Sequence, residues 1–191
     1  MMARVTTIYG PGDYPGTPDA TTAADLATLY GTLFPGVENP AFDANHEGMA
    51  IAAHNPKMAL ALAQTSRFLA LDLDWCQRSD LRELAIYTVN LHYRSSYSIR
   101  SRDGIGKAFG LTEDLMAALP DWRSSTLFDA EQRLVIAYTQ AVLSGDVPKD
   151  LFAQVSAHFG EKGATEFTAV VGFWAFWAMF LNATRPDEDQ R

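Results

Sequence analysis

The stretch from Glu83 to Arg94 constrains the fold of this chain more than any other. Turned at about 100° per residue, it gathers Glu83, Tyr87, Asn90 and Arg94 into a sector about 80° wide. Leu84, Ala85, Ile86, Thr88, Val89, Leu91 and Tyr93 fill nearly all the rest, and His92 falls roughly opposite the polar sector. A surface helix has the reverse proportions, a broad polar face and a narrow apolar stripe. A helix apolar around most of its girth is buried, so its polar wedge faces a thin strip of solvent or an internal cavity. A carboxylate in such a cavity must be paired or carry a raised pKa. Glu83 and Arg94 stand three turns apart on one face, too far to bond directly but placed to bracket a ligand. The competing reading is a partly exposed structural helix whose Glu83 pairs with an arginine elsewhere.

The neighbouring segments share this helical period. Thr21 or Thr22 caps a segment running to about Phe34, where Pro35-Gly36 ends it. A short helix around His46–His54 follows, and Asn55-Pro56 opens another to about Leu71. Ser79 caps a long segment from Asp80 whose far end loosens at Gly104 and Gly106. Thr112 opens a short helix stopped by Pro120, and Asp129 caps one from about Ala130 to Leu143. Pro148 starts a helix to about Phe159, and the last long one runs from about Ala164 to Ala183. No segment alternates with period two for long and no hairpin signal occurs, so the expected fold class is all-α. Gly10, Pro11, Gly12, Pro15, Gly16 and Pro18 mark residues 1–20 as an irregular arm. A single helical domain over 21–185 and a solvated tail over 186–191 complete the expected organisation.

Charge narrows the partners. The formal net charge is −8, which argues against nucleic acid, because phosphate binding needs a basic surface. The most apolar stretch, Thr168 to Leu181, is shorter than the roughly 20 residues a membrane span needs. With no apolar leader at the N-terminus, the expectation is a cytoplasmic protein with no membrane partner.

Familiar reactive motifs are missing. His46, His54, His92 and His158 show neither HxxxH nor HExxH spacing, and no Cys/His/carboxylate cluster points to a metal. The run from Gly104 to Gly110 lacks both Walker spacing and a preceding strand. No GxSxG elbow occurs. Cys76 is the sole cysteine, so neither an intrachain disulfide nor a CxxC redox pair is available. His46, beside Glu47 at a helix start, is an acid–base candidate that could border a pocket.

Leu81-Arg82-Glu83-Leu84-Ala85-Ile86 resembles the "LRELVIL" opening of the core helix in the carboxymuconolactone decarboxylase / alkyl hydroperoxidase D superfamily. The flanks are similar as well: GIGKAFGLTEDLMAAL (Gly104 to Leu119), FDAEQRLVIAYTQAV (Phe128 to Val142) and the stretch from Leu151 to Ala183. Together they cover roughly Asn45 to Thr184. The resemblance implies an all-helical bundle of the alkyl hydroperoxidase D-like type, assembled as a homo-oligomer (dimer, trimer or hexamer). In the peroxidase branch, a CxxC pair follows the glutamate at the positions held here by Ser95 and Ser98. Tyr97 falls between them, and Arg102 takes the place of the later histidine.

These departures remove the dithiol chemistry, which needs a thiolate nucleophile and a second thiol to resolve the sulfenic acid. What remains by resemblance is Glu83 facing Ser95, Tyr97, Ser98 and Arg102. Such a set can do acid–base work and hold an anion with no metal and no organic cofactor. Tyr97 can donate to a developing oxyanion, while Arg102, with Arg94 or Arg100 nearby, holds a carboxylate or phenolate. The last helix carries Ala175, Ala178 and Met179 where relatives often have Asn and Arg. Trp174 and Trp177 could thus line an aromatic pocket, or pack in a core or subunit interface.

The expected function is a cofactor-independent lyase, cleaving a carbon–carbon bond by decarboxylation or retro-aldol loss. Its substrate would be a small aromatic or lactone carboxylate or phenol. Glu83, Tyr97, Arg102 and His46 would be catalytic; Tyr87, Asn90, Arg94, Ser95, Ser98, Trp174 and Trp177 would bind substrate. The alternatives are a non-catalytic ligand-binding or assembly protein, and residual peroxidase activity through Cys76.

Overall fold

The computed structural model describes residues 4–184, so the proposed 186–191 tail lies outside the described residues. Those described are helical or irregular, with no strand among them. They form two compact units, one of residues 4–68 with 181–184 and the other of residues 69–180.

The first unit holds α1 (Ala20–Leu33), α2 (Glu47–Ala52) and α3 (Pro56–Arg67). The cap of α1 is Asp19 rather than Thr21 or Thr22, its side chain accepting from the Thr22 N–H at 2.7 Å. Leu26, Leu29 and Tyr30 of α1 are buried, the spacing of one helical face. Asn55 caps α3 through the Met58 N–H, with Pro56 in the first turn where a missing N–H costs nothing. Residues 4–19 make no α-helix, yet they are anchored. Ile8 is fully buried, its N–H donates to the Ala50 carbonyl at 3.1 Å, and its carbonyl accepts from Tyr30 Oη at 2.7 Å.

The second unit holds α4 (Ser79–His92), α5 (Ser96–Ala108), α6 (Glu113–Ala118), α7 (Ala130–Ser144) and most of α8 (Lys149–Thr184). Helix α4 packs chiefly on α7 and next on α5. Leu81, Ala85, Ile86 and Val89 join Val135, Tyr138, Phe167, Val171 and Trp174 in one core cluster. Leu84 points into a second, with Leu111, Leu119, Trp122, Phe128 and Ile136. Packing on two sides explains the apolar girth of α4. Each fully buried aliphatic side chain there contributes about 1.5–3 kcal/mol.

The expected single segment from Asp80 to Gly104 is two helices. α4 ends at His92, Arg94 adopts a left-handed conformation (φ 52°), and α5 restarts at Ser96. A non-glycine residue there is unusual and costs about 1–2 kcal/mol, so the break falls where the sequence carries no turn residue. Gly104 and Gly106 are accommodated within α5. The expected separation between a helix ending at about Phe159 and one starting at about Ala164 is a break inside α8 at Gly160 (φ 76°, ψ 165°), a conformation open mainly to glycine. Three residues on, Gly163 lets Trp75 approach: a Cβ there would lie 3.4 Å from the Trp75 carbonyl and 2.9 Å from Phe159 Cβ. Trp75 in turn stacks on Phe167 with ring centroids 4.2 Å apart.

By length and composition, α8 is the one helix among the described residues able to cross a membrane. Phe167, Val170, Val171, Trp174 and Ala178 of its second arm are buried in the first core cluster, which fits a core helix of a folded unit.

Candidate functional site

Glu83 sits one turn into α4 and is 3% exposed. Arg102, nineteen residues later on α5, reaches back to it: Nη2 lies 2.8 Å from both Oε1 and Oε2. Arg82 Nε approaches Oε1 at 3.7 Å. The Arg102 guanidinium carbon lies 5.4 Å from the centroid of the Trp174 ring, so an aromatic face steadies the cation on another side.

Beside this pair lies a hollow of about 10 Å³, room for about one water molecule. Glu83, Tyr87 and Asn90 line it from α4, one or two turns apart, and Arg102, Asp103 and Gly106 from α5. Ile86, Leu111 and Met116 supply its apolar wall. Burial, reinforced by the Asp103 carboxylate, pushes the Tyr87 phenol above its ordinary pKa. Tyr87 therefore stays protonated at neutral pH and can only act as a hydroxyl.

Hydrogen bonding in the hollow is incomplete. Asn90 is 1% exposed, yet neither its amide nitrogen nor its amide oxygen has a protein partner. Arg102 Nε is also buried without one. Each buried polar group left unsatisfied costs about 1–3 kcal/mol, and folded proteins seldom leave such groups orphaned. Both residues belong to the lining of the hollow, whose accessible wall is mostly apolar.

The other expected site residues divide. Ser95 and Ser98 are buried with their hydroxyl oxygens 2.8 Å apart, because the restart of α5 sets them at the helix cap and one turn beyond. Tyr97 is buried on α5 but does not line the hollow. Arg94 does not extend the wedge of α4, since the helix has ended and its exposed side chain follows the left-handed turn. It therefore cannot bracket a ligand with Glu83 along one helical face; the opposing cation is Arg102. Trp174 is buried and meets Arg102. Trp177 is half-buried in a ring cluster with Phe173, Phe176 and Phe180. His46 belongs to the first unit, exposed, with Nδ1 2.7 Å from Asp43 Oδ1.

Asp103, Gly106, Leu111 and Met116 were not foreseen. Asp103 and Gly106 follow once Arg102 is placed on a helix, at one and four residues' distance. Leu111 and Met116 carry no signal beyond being apolar. No group of three or more potential metal-ligating side chains exists among the described residues.

Comparison with known proteins adds one relative. The chain is 36% identical over 74 residues to the uncharacterized protein YnjA of Escherichia coli (strain K12). That match covers 38% of this chain and 41% of YnjA, so the chain spans about two fifths of the relative's length. No family model matches the sequence, and no solved structure matches it.

Proposed function

We propose that this chain is a cofactor-independent carbon–carbon lyase akin to the carboxymuconolactone decarboxylase / alkyl hydroperoxidase D superfamily. It acts on a small aromatic or lactone carboxylate or phenol, in the cytoplasm and as a homo-oligomer. The observation that carries this reading is the buried Glu83–Arg102 pair flanked by unsatisfied polar groups at one hollow. A stabilising ion pair alone would not need orphaned neighbours. The Ser95–Ser98 contact supports the resemblance, since it sets side chains at the two cysteine positions within bonding reach of each other.

The roles follow from the groups. Arg102 keeps Nε–H free while Nη2 holds Glu83, so it can accept an anion without releasing its carboxylate. Glu83 moves the proton, and Tyr87 donates to charge that develops on oxygen. One oxygen of the substrate's head fills the hollow, and the rest of the head and the ring lie outside it.

The test is a mass-spectrometric conversion screen of aromatic acids, lactones and phenols, run on the natural protein and on Glu83→Gln. Loss of at least about 100-fold in turnover is expected for the variant; near-normal turnover removes Glu83 from the mechanism. One observation favours the non-catalytic alternative: Arg102 already occupies both Glu83 oxygens. That alternative predicts bound ligands whose mass never changes.

A further inference from the structure

We propose that the outer face of the second arm of α8 is a self-pairing surface. Two copies of this chain meet on it antiparallel, Gly172 of each copy against the partner's Phe176. The inference assigns a face and a direction to the oligomer, and it depends on neither the hollow nor the lyase reading.

The two arms of α8 carry opposite surfaces. In the first, exposed positions include Lys149, Asp150, Gln154 and His158, the polar outside of an ordinary surface helix. In the second, Thr165, Ala169, Gly172, Phe176 and Met179 are exposed, and no charged residue occurs from Phe167 to Thr184. The other side of this arm is already committed to the core through Phe167, Val170, Val171, Trp174 and Ala178. An arm apolar on both sides has a second face to cover.

The exposed positions are regular. From Thr165 they follow in steps of four, three, four and three, the spacing of a seam between two packed helices. Thr165 Oγ1 donates to the Glu161 carbonyl at 2.9 Å, and the neighbouring Thr168 Oγ1 to the Ala164 carbonyl at 2.7 Å. Neither hydroxyl therefore needs a partner from outside. Phe173, Trp177 and Phe180 flank the seam as half-buried rings, their centroids 5.8–6.4 Å from that of Phe176. Aromatic residues and methionine without charge are the composition of an interface core.

Size along the seam selects the partner and its direction. Thr165, Ala169 and Gly172 are small, whereas Phe176 and Met179 are large and 37% and 50% exposed. Parallel copies would set small against small and large against large, with a gap at one end and crowding at the other. Antiparallel copies related by a two-fold axis set Phe176 over the partner's Gly172 and Met179 over the partner's Ala169, and symmetry repeats both contacts. Gly172 is open to receive a ring: a Cβ there would meet nothing within 4 Å beyond its own helix backbone.

Charge points the same way. A net charge of −8 per chain makes two copies repel over most of their surfaces, and repulsion is least at this uncharged face. The face offers nothing to a charged partner. A helix lying on a membrane needs a polar face rich in Lys and Arg, but the opposite face of this arm is buried in the core.

A seam about 21 Å long and one helix wide covers less than the roughly 800 Å² a side of a standard interface, so association is expected at micromolar concentrations. Sedimentation of the full chain up to about 100 µM should give an even multiple of its 21.0 kDa mass, twice in the simplest case. Gly172→Leu has room in one copy but fills the hole for the partner's ring. It should keep the helical circular dichroism and lose the paired mass. Adding Phe176→Ala exchanges the large and small positions and should restore it. Direction is read in a Cys76→Ser background by mixing Ala169→Cys chains with Met179→Cys chains. The mixture should form a disulfide-linked pair and neither variant alone should, because the two positions stand about 15 Å apart along the helix.

A monomer or trimer up to about 100 µM, or a paired mass indifferent to Gly172→Leu, would overturn the inference; the last leaves an oligomer built on another face. Self-linking of Ala169→Cys alone would overturn the antiparallel arrangement. A monomer captured by neutral phosphatidylcholine vesicles would give the face to lipid instead. Should Gly172→Leu fail to fold, the cross-linking mixture decides alone: no mixed disulfide ends the proposal.

Discussion

Two clusters of charge are attached to α4, and they are built differently. At its N-terminus, Arg78 engages all three guanidinium nitrogens: Nε and Nη2 on Asp80, Nη1 on Asp129 and Glu131, all at 2.7–3.1 Å. Glu131 passes the network to His158 at 2.7 Å, and Gln132 adds a bond to Asp80. That cluster is partly exposed, Arg78 being 38% accessible. One turn further on, the Glu83–Arg102 pair is deeper and less complete, with Arg102 Nε and both ends of Asn90 left over. A saturated network ties α4 to α7 and α8 and offers nothing to a guest. An unsaturated one keeps valences in reserve. Completeness of hydrogen bonding, rather than number of charges, separates these two clusters.

The sharpest way to break that contrast is to delete one member from each cluster and compare stability by chemical denaturation. Glu83→Ala leaves the Arg102 cation without its counter-ion and should cost about 3–5 kcal/mol. Arg78→Ala acts in water-screened surroundings and should cost about 1 kcal/mol or less for each pair lost. Equal losses would erase the distinction between a buried and a screened cluster.

A smaller effect lies in acid. Burial works against ionisation of Asp129, but the Gln132 N–H and Arg78 outweigh it and hold the carboxyl below the ordinary range. Because the folded value lies below the unfolded one, the stabilisation is complete above about pH 4 and disappears as pH falls through the folded value. Asp129→Asn keeps the oxygen that caps α7 and removes the charge. The acid limb of Tm against pH should flatten in that variant; an unchanged limb would show that the Arg78 cluster is not acid-sensitive through Asp129.

The smallest expected effect is none. Burial pushes the Cys76 thiol up to about 12, against the opposing pull of Arg82, so it remains a thiol at neutral pH and a poor nucleophile. Hydroperoxide consumption should be indistinguishable between the natural protein and Cys76→Ser. A measurable fall would locate redox chemistry outside both clusters.

The sequence made the helical class and the burial of α4 readable, because apolar periodicity and caps such as Asn55, Thr112 and Asp129 act locally. The turn at Arg94 was not readable: no glycine, asparagine or proline stands there, and tertiary packing imposes the conformation. Residues 4–9 looked like loose chain because they lack periodicity. Their order comes from main-chain bonds to distant residues, such as the Phe42 N–H to the Tyr9 carbonyl, which no local pattern encodes. At the site, Glu83, Tyr87 and Asn90 were legible as one wedge. Arg102 came from the resemblance, and its pairing with Glu83 depends on where α5 restarts.

Burial of α4 between two apolar clusters has an evolutionary corollary. Its greasy sides are committed to neighbours, so a change of shape anywhere on them would be felt in both clusters at once. On α4, the narrow wedge is the part left free of those clusters, and it faces residues of α5. Exchanges of similar volume, such as hydroxyl for thiol at Ser95 and Ser98, are the kind this architecture tolerates. A lineage built on it would diversify by swapping a handful of atoms inside a fixed frame.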